Sequence, residues 1–293
     1  MNNYLCIDIG GTAIKYGVYS YEGQLIMPPE SLATEAQAPN FDMVKRLETI
    51  VDLVLLRQEI AGICLASAGV VNTETGQIVY AGYTIPNYQG TELKKRLEER
   101  YGIPCEVEND VNAACLGEYW QGAGQGSQSL VCLTVGTGIG GAILLDGKLH
   151  HGLGNRGAEL GYMLVNGHYF QDLASTTALV TNLKNKLGEG APTNGREVME
   201  GVMAGNLECT SAVSEMITHL ATGIANIIYV LSPEKIILGG GIMAQKDYFH
   251  DRIMTSLKKQ MIAPEFLETE IVYAQTENQA GMLGALYHFR QKH

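Results

Sequence analysis

Positive charge is scarce in this chain: 20 Lys and Arg stand against 31 Asp and Glu, for a net charge of -11. A compact acidic surface repels a phosphate backbone, so bulk nucleic-acid binding is excluded. Any anionic ligand needs a local device, such as loop amides or a helix N-terminus. Paired cysteines are also missing. Cys6, Cys64, Cys105, Cys115, Cys132 and Cys209 form no C-x-x-C pair and keep no regular spacing, as reduced core residues of a cytosolic protein would. No proline-rich or low-complexity linker divides the chain, so two domains would share an intimate interface with a cleft. The charge-free stretch Tyr119–Leu145 holds seven glycines and breaks into a glycine loop and two short strands, which excludes a membrane helix there. No signal peptide fits ahead of a strand that begins near Tyr4. A cytoplasmic protein without membrane partners is expected.

At 293 residues the chain suits one large or two medium domains. Roughly three quarters of its extended surface can be buried at that size. With 46% hydrophobic and 17% charged residues the composition is globular. Glycine is in excess: 35 of 293 is about 12%, against a usual ~7%. The surplus belongs in turns, or in loops where backbone approaches a ligand.

The chain opens as strand, turn, strand, turn, strand: YLCIDI, Gly10-Gly11-Thr12, IKYGVYS, Glu22-Gly23 and QLI. Phe41, Val44, Leu47, Val51 and Leu55 predict a helix over 40–56. AGICLA (61–66) reads as a strand running into Ser67-Ala68-Gly69. A loop then carries Asn87, and a charged helix covers 91–101. CEVEND (105–110) reads as a strand meeting a helix with Val111, Cys115 and Tyr119 on one face. From Ser129 the opening plan recurs as SLVCLTV, Gly136-Thr137-Gly138, AILL, Asp146-Gly147 and KLHHG. A duplicated two-domain architecture would produce this degenerate repeat, and so would two ordinary hairpins. Later, 213–231 is an amphipathic helix stopped by Ser232-Pro233, and KIILGGGI sets a strand before three glycines. AGMLGALYHF is helical, with Gly281 and Gly284 permitting close packing.

Three glycine turns each follow a strand: Asp8-Ile9-Gly10-Gly11-Thr12, Gly136-Thr137-Gly138-Ile139-Gly140-Gly141 and Gly239-Gly240-Gly241. Such turns let backbone N–H groups reach phosphate oxygens, and threonines add hydroxyl donors. One alone is a plain hairpin; three point to a nucleotide. No G-x-x-x-x-G-K-[ST] string exists, which excludes a Walker loop. Gly136-x-Gly138-x-x-Gly141 matches a dinucleotide fingerprint, with Glu159 at about the right distance. That turn must open a helix, however, whereas AILLDG is a strand, so the dinucleotide reading fails. A carboxylate at Asp8 is repelled by a nearby phosphate unless a cation intervenes. Asp8 therefore holds Mg²⁺ through water, or is only a turn aspartate. Lys15 either faces the phosphates or lies on a solvated strand face. Asp110 sits in a first helical turn, where the dipole favours the anion by roughly 0.3–1 kcal/mol. It is either a helix cap or a general base against a substrate hydroxyl.

DIGGT, END before a helix, GTGIGG after a strand, GAELG and LGGGI together resemble the ROK family of bacterial sugar kinases. That family lies in the actin-like ATPase superfamily with hexokinases and heat-shock chaperone ATPases. The motifs run in family order from Asp8 to Gly284. The resemblance implies an α/β, ribonuclease H-like fold of two lobes, each a mixed β-sheet with flanking helices, from a repeated βββαβαβα core. The N-terminal lobe would cover 1–112, with a C-terminal helix over 278–293 packing back on it. The C-terminal lobe would cover 113–277, and ATP and sugar would meet in the cleft. By the same resemblance Gly10, Gly11, Thr12, Gly136, Thr137 and Gly138 hold the phosphates; Asp8, through Mg²⁺, and Lys15 are the candidate cofactor-binding residues beside them. Gly239, Gly240 and Gly241 lie near the adenosine. Asp110 matches the catalytic base, Asn87, Asn109 and Glu159 match sugar-binding positions, and Ala68-Gly69 line the same pocket.

The implied reaction is ATP- and Mg²⁺-dependent phosphorylation of a sugar hydroxyl, O6 of a hexose such as glucose, N-acetylmannosamine, fructose or a β-glucoside. Asp110 would deprotonate the hydroxyl while glycine amides and Mg²⁺ near Asp8 hold the developing charge. Sugar binding would drive lobe closure against water. A homodimer is also implied.

The chain departs from the family at one motif. Many members carry Gly-His after the sugar-binding Glu, then a Cys-x-Cys-Gly-x-x-Gly-Cys zinc site. Here the run is Glu159-Leu160-Gly161-Tyr162, with no cysteine from Met163 to Ser175. Tyr162 takes the histidine's place in the sugar site, His168 lacks thiolate partners, and no structural zinc is expected. A second sugar-binding Glu is replaced by Gln171, or by Asp172 if the alignment slips by one. His150-His151, after a D-G turn, reads as surface. A repressor of this family would need a helix-turn-helix ahead of Asp8, where seven residues stand, and a chaperone ATPase a separate peptide-binding domain. A non-catalytic sugar sensor is the alternative, although Asp8, Thr12, Asp110 and Glu159 are all kept.

Overall fold

A computed structural model describes residues 2–82 and 85–293. Two compact units emerge: Met1–Gln125 with His151–Gly157 and Thr276–His293, and Gly126–His150 with Ala158–Gln275.

In the first unit β1 (Asn3–Ile9), β2 (Ala13–Ser20) and β3 (Leu25–Ala33) form an antiparallel meander. Helix α1 (Met43–Leu55) leads to β4 (Gly62–Ser67), parallel to β1. The hairpin β5 (Val70–Asn72) and β6 (Gln77–Tyr80) and helix α2 (Leu93–Tyr101) precede β7 (Cys105–Asn109), parallel to β4, and α3 (Asp110–Gln121). The sheet order is β3-β2-β1-β4-β7. All six residues of β4 are buried, as a central parallel strand covered on both faces requires. Helix α1 starts at Met43, later than its spacing suggests, because the Asp42 side chain accepts the Val44 N–H and caps it. Its buried stripe is Val44, Leu47, Ile50, Val51 and Val54; Phe41 precedes the helix and Leu55 is exposed.

The second unit repeats the plan. β8 (Leu130–Val135), β9 (Ile139–Leu145) and β10 (Lys148–Leu149) form a meander. Asp146 and Gly147 both take positive φ (51° and 71°), which a two-residue hairpin turn of this kind needs. KLHHG yields strand only at its first two residues. The hairpin β11 (Leu164–Val165) and β12 (His168–Tyr169) follows, then α4 (Phe170–Ala174), α5 (Thr176–Leu187), α6 (Gly195–Met203) and α7 (Leu207–Leu231). β13 (Lys235–Gly239), α8 (Lys246–Gln260) and β14 (Glu270–Tyr273) complete a sheet of order β10-β9-β8-β13-β14. The last two pairings are parallel, as in the first sheet. The recurrence in the sequence is thus a recurrence of topology. Helix α7 begins six residues before 213 because Asn206 caps it through the Cys209 N–H, ahead of the apolar stripe. It is long and apolar enough to cross a membrane, but Val213, Met216, Leu220, Ile224 and Ile227 lie in this unit's core.

Helix α9 (Ala280–Lys292) returns to the first unit and crosses α3. A Cβ on Gly284 would overlap the Ala113 carbonyl, and one on Gly117 the Ala280 carbonyl. The two backbones touch only because both positions are glycine.

Candidate functional site

The carboxyl ends of the parallel strands β1, β4 and β7 bring together Asp8, Ser67 and Asn109; Ile9 pairs with Ser67, and Ser67 with Asn109. Ligands of open α/β sheets bind at such strand ends. Asn109 ends β7 and caps α3, its Oδ1 accepting the N–H groups of Val111 and Asn112, both at 3.0 Å. Its Nδ2 donates to the Gly69 carbonyl and to Asp110 Oδ1, both at 2.9 Å. Gly69 has φ +94°, and a Cβ there would stand 2.5 Å from the Tyr80 carbonyl.

Asp110 Oδ1 also accepts the Val111 N–H at 2.9 Å. Burial first, and the Asp8 carboxylate second, push the Asp110 carboxyl from 3.8 up to about 7, against the pull of backbone N–H groups and Asn109. At ~1.4 kcal/mol per unit, this exceeds the roughly 0.3–1 kcal/mol with which a helix dipole favours the anion. Burial likewise raises Asp8, with Lys15 opposing. Gly281 of α9 lies over Asp8, where a Cβ would stand 3.1 Å from Cγ. In the adjoining turn the Gly10 carbonyl accepts Thr34 Oγ1 at 2.7 Å, and the Thr12 carbonyl the Thr34 N–H at 2.9 Å. Gly11 is half-buried and Thr12 exposed. Lys15 Nζ donates to Asn278 Oδ1 at 2.8 Å.

Asn87 is exposed at φ +56°. Next to it Tyr88 is buried, its hydroxyl 2.7 Å from Ser67 Oγ. Burial raises the Tyr88 phenol, Ser67 opposes, and the Asp110 charge adds to the rise. The sequence did not single out Tyr88, since its partners lie in other segments.

His151 corrects the surface expectation. His150 is exposed, but His151 is half-buried, with Nε2 2.7 Å from Oε2 of the fully buried Glu108. The Asp-Gly turn governs only the residues beside it; the chain then enters the first unit.

In the second unit the Gly136 carbonyl accepts the Thr176 N–H at 2.9 Å, at the start of α5, and the Gly136 N–H donates to the Gly138 carbonyl at 3.0 Å. Gly240, at φ +103°, sits where a Cβ would overlap the Val135 carbonyl. Gly136, Thr137 and Gly241 line a pocket of about 1080 Å³ with Thr176, Asn194, Arg196, Met199, Ile242 and Gln245. Gly239 is buried in β13. The volume suits a nucleotide-sized ligand. The contribution of α5 and α6 carried no motif by which the sequence could reveal it.

Glu159 is exposed, and partial burial raises its carboxyl. Its carbonyl accepts the Tyr162 N–H at 3.1 Å. The Tyr162 ring is exposed and stands edge-on to Tyr169 at 5.7 Å. Gln171 Oε1 lies over Gly138 and Gly161, where Cβ atoms would be 2.7 and 3.2 Å from it. Asp172 and His168 are exposed. Asp8, Gly69, Asn109 and Asp110 are thus gathered in one unit, and Gly138, Gly161 and Gln171 in the other.

A five-stranded mixed sheet of one order, formed twice with flanking helices, is the architecture of the actin-like ATPase fold. The ROK family profile matches residues 4–292, and the chain belongs to that family. It is 46% identical to an uncharacterized Clostridium perfringens protein, with 99% of each chain covered. It is 35% identical to a β-glucoside kinase of Listeria innocua, covering 97% of this chain and 96% of that one. A ROK glucokinase from Streptomyces griseus, solved with glucose and AMPPNP, is 28% identical with a TM-score of 0.84, covering 99% and 100%.

Proposed function

We propose that this protein transfers the terminal phosphoryl group of ATP to a sugar hydroxyl, O6 of a hexose such as glucose, N-acetylmannosamine, fructose or a β-glucoside, with Asp110 as general base. The observation that carries the reading is Asp110 at the β7–α3 junction, held by Asn109 beside Gly69 and pushed up to about 7. A base of that strength is half ionised near neutrality, where it can take a hydroxyl proton in the transition state. Asn87, Asn109, Glu159, Tyr162 and Gln171 would bind the sugar, and Gly69 would let backbone approach it. Gly10, Gly11, Thr12, Gly136, Thr137 and Gly138 would donate to phosphate oxygens, with Lys15 beside them. Gly239, Gly240 and Gly241 would lie by the adenosine.

Two neighbouring carboxylates with raised pKa values suit a cation. Asp8 would hold Mg²⁺ through water, and the ion would neutralise charge on the phosphates. Asp110 orients the sugar hydroxyl and removes its proton as the oxygen attacks in line. The glycine amides hold charge that develops on phosphate oxygens. The reading includes a cytoplasmic location and a homodimer, and light scattering of the purified protein checks the dimer.

The test is ADP release with Mg-ATP across those four sugar classes, with Asp110→Asn as control. Turnover with one class, lost in the variant, supports the kinase and names its substrate. Sugar-dependent nucleotide binding without turnover makes the protein a sensor, and silence with every sugar sinks both readings.

A further inference from the structure

Glu108 is a fully buried carboxylate next to the catalytic turn, and the reaction above does not use it. Its Oε1 accepts the Asn109 N–H at 2.8 Å and Asn112 Nδ2 at 3.1 Å. Its Oε2 accepts His151 Nε2 at 2.7 Å and faces His288 Nδ1 of α9 at 3.5 Å. One residue pair away on the same strand face, Glu106 takes Lys94, Lys292 and His293, so Glu108 is left to the two histidines. Burial acts to raise Glu108, but His151 and His288 hold it below the usual carboxylate range. The bond to Glu108 raises His151 against burial, with Lys292 opposing and Glu74 assisting. Burial lowers His288. The cluster therefore centres on the short Glu108–His151 bond, with His288 facing the same carboxylate oxygen at 3.5 Å.

His151 opens the segment His151–Gly157, which belongs to the first unit although the chain on either side belongs to the second. Among the described residues, the His151–Glu108 bond is the hydrogen bond that fixes this segment to the rest of its unit.

We infer that Glu108 and His151 are positioning residues for the base: the pair locks the Asn109–Asn112 turn, so that Asp110 and the Asn109 amide keep one geometry. The inference rests on the reading of Asp110 as general base. Without His151, Oε2 of this buried carboxylate faces only His288 at 3.5 Å, and it must take up a proton or water. A proton on Oε2 discharges the carboxyl and weakens Oε1 as the acceptor of Asn109 and Asn112. Asn109 donates to Asp110 Oδ1, so a shift of the turn moves the base. A misplacement of about 1 Å can cost on the order of a hundredfold in rate.

The test uses the full-length protein and the sugar that the wild type turns over, comparing His151→Ala, His151→Gln and Glu108→Gln. His151→Ala and Glu108→Gln are expected to lose at least about tenfold in kcat while the KM for ATP stays within about twofold. His151→Gln, which keeps an N–H donor, is expected to run at least about fivefold faster than His151→Ala. If His151→Ala does not fold by circular dichroism, Glu108→Gln decides. A kcat and sugar KM within about twofold of wild type in the deciding variant overturn the inference. So does a set in which no variant folds, which assigns the pair to folding alone. A wild type that turns over no sugar fails the general-base reading first; an active wild type with unchanged variants fails only this pair.

Discussion

Replacing Gly284 by alanine sets two effects of opposite sign against each other. In a helix interior the change stabilises by about 1 kcal/mol, because alanine loses less backbone entropy. Gly284 is buried where α9 crosses α3, however, and a Cβ would overlap the Ala113 carbonyl. A neighbouring helix backbone cannot rotate aside as a side chain can. Overpacking costs typically 1–3 kcal/mol, and the upper end applies because the helices must part, loosening Leu283, Leu286 and Phe289 in their shared cluster. The clash wins by about 2 kcal/mol. At roughly 2–4 °C per kcal/mol for chains of this size, the melting midpoint should fall by roughly 4–8 °C, read by circular dichroism. Adding Ala113→Gly should not restore it, since the obstacle is the carbonyl and not the methyl group. An unchanged or higher midpoint, or rescue by Ala113→Gly, would refute the reasoning.

Three further outcomes are expected. The sugar kcat/KM should rise with pH and level off above about 7, because Asp110 must be deprotonated to act as a base and is held there by burial and Asp8. The sign is fixed: activity is lost as pH falls through that value, and a flat profile between about pH 5 and 8 would remove Asp110 from the role. Gly281→Ala should melt no lower, since its Cβ meets only the movable Asp8 carboxylate at 3.1 Å. By displacing that carboxylate it should raise the KM for Mg-ATP about tenfold, and an unaltered KM argues against Asp8 at the phosphates. Gly240→Ala, with φ +103° and the Val135 carbonyl in the way, should cost on the order of 2–3 kcal/mol. It should also weaken binding of an ATP analogue by calorimetry, and intact affinity would detach this turn from the nucleotide.

The glycine turns, the END string and the duplicated plan were legible because each is a contiguous run whose chemistry and period are local. Asp110 could be read as a first-turn carboxylate for the same reason, although the cap itself is Asn109. The helix-terminus effect on Asp110 could be read locally, but burial and Asp8, a hundred residues away in sequence, outweigh it, and no local pattern announces either. The cluster at Glu108 was illegible for a related reason. Glu106 and Glu108 alternate on a strand at the sheet edge, a pattern that ordinarily marks a solvated face. α2, α9 and the His151 segment cover them, and nothing near 106–108 announces that. The pocket lining from α5 and α6 was likewise hidden, since Thr176, Asn194 and Arg196 converge only after the second unit has folded.

That α9 belongs to the first unit sets a timetable for biosynthesis. Helix α3 is complete at Gln121, but its glycine-bearing face has no partner until Lys292 has been made. At about 5–20 residues per second, the nascent first unit waits roughly 10–30 s with Ala113, Gly117 and the outer faces of β1 and β4 bare. The second unit can close during that interval, so the half begun first should finish last. Chains ending at Gln275 and held on the ribosome by a linker long enough to clear the exit tunnel should be cut by protease within α3 while the second unit resists; protection of α3 in such chains would contradict this order.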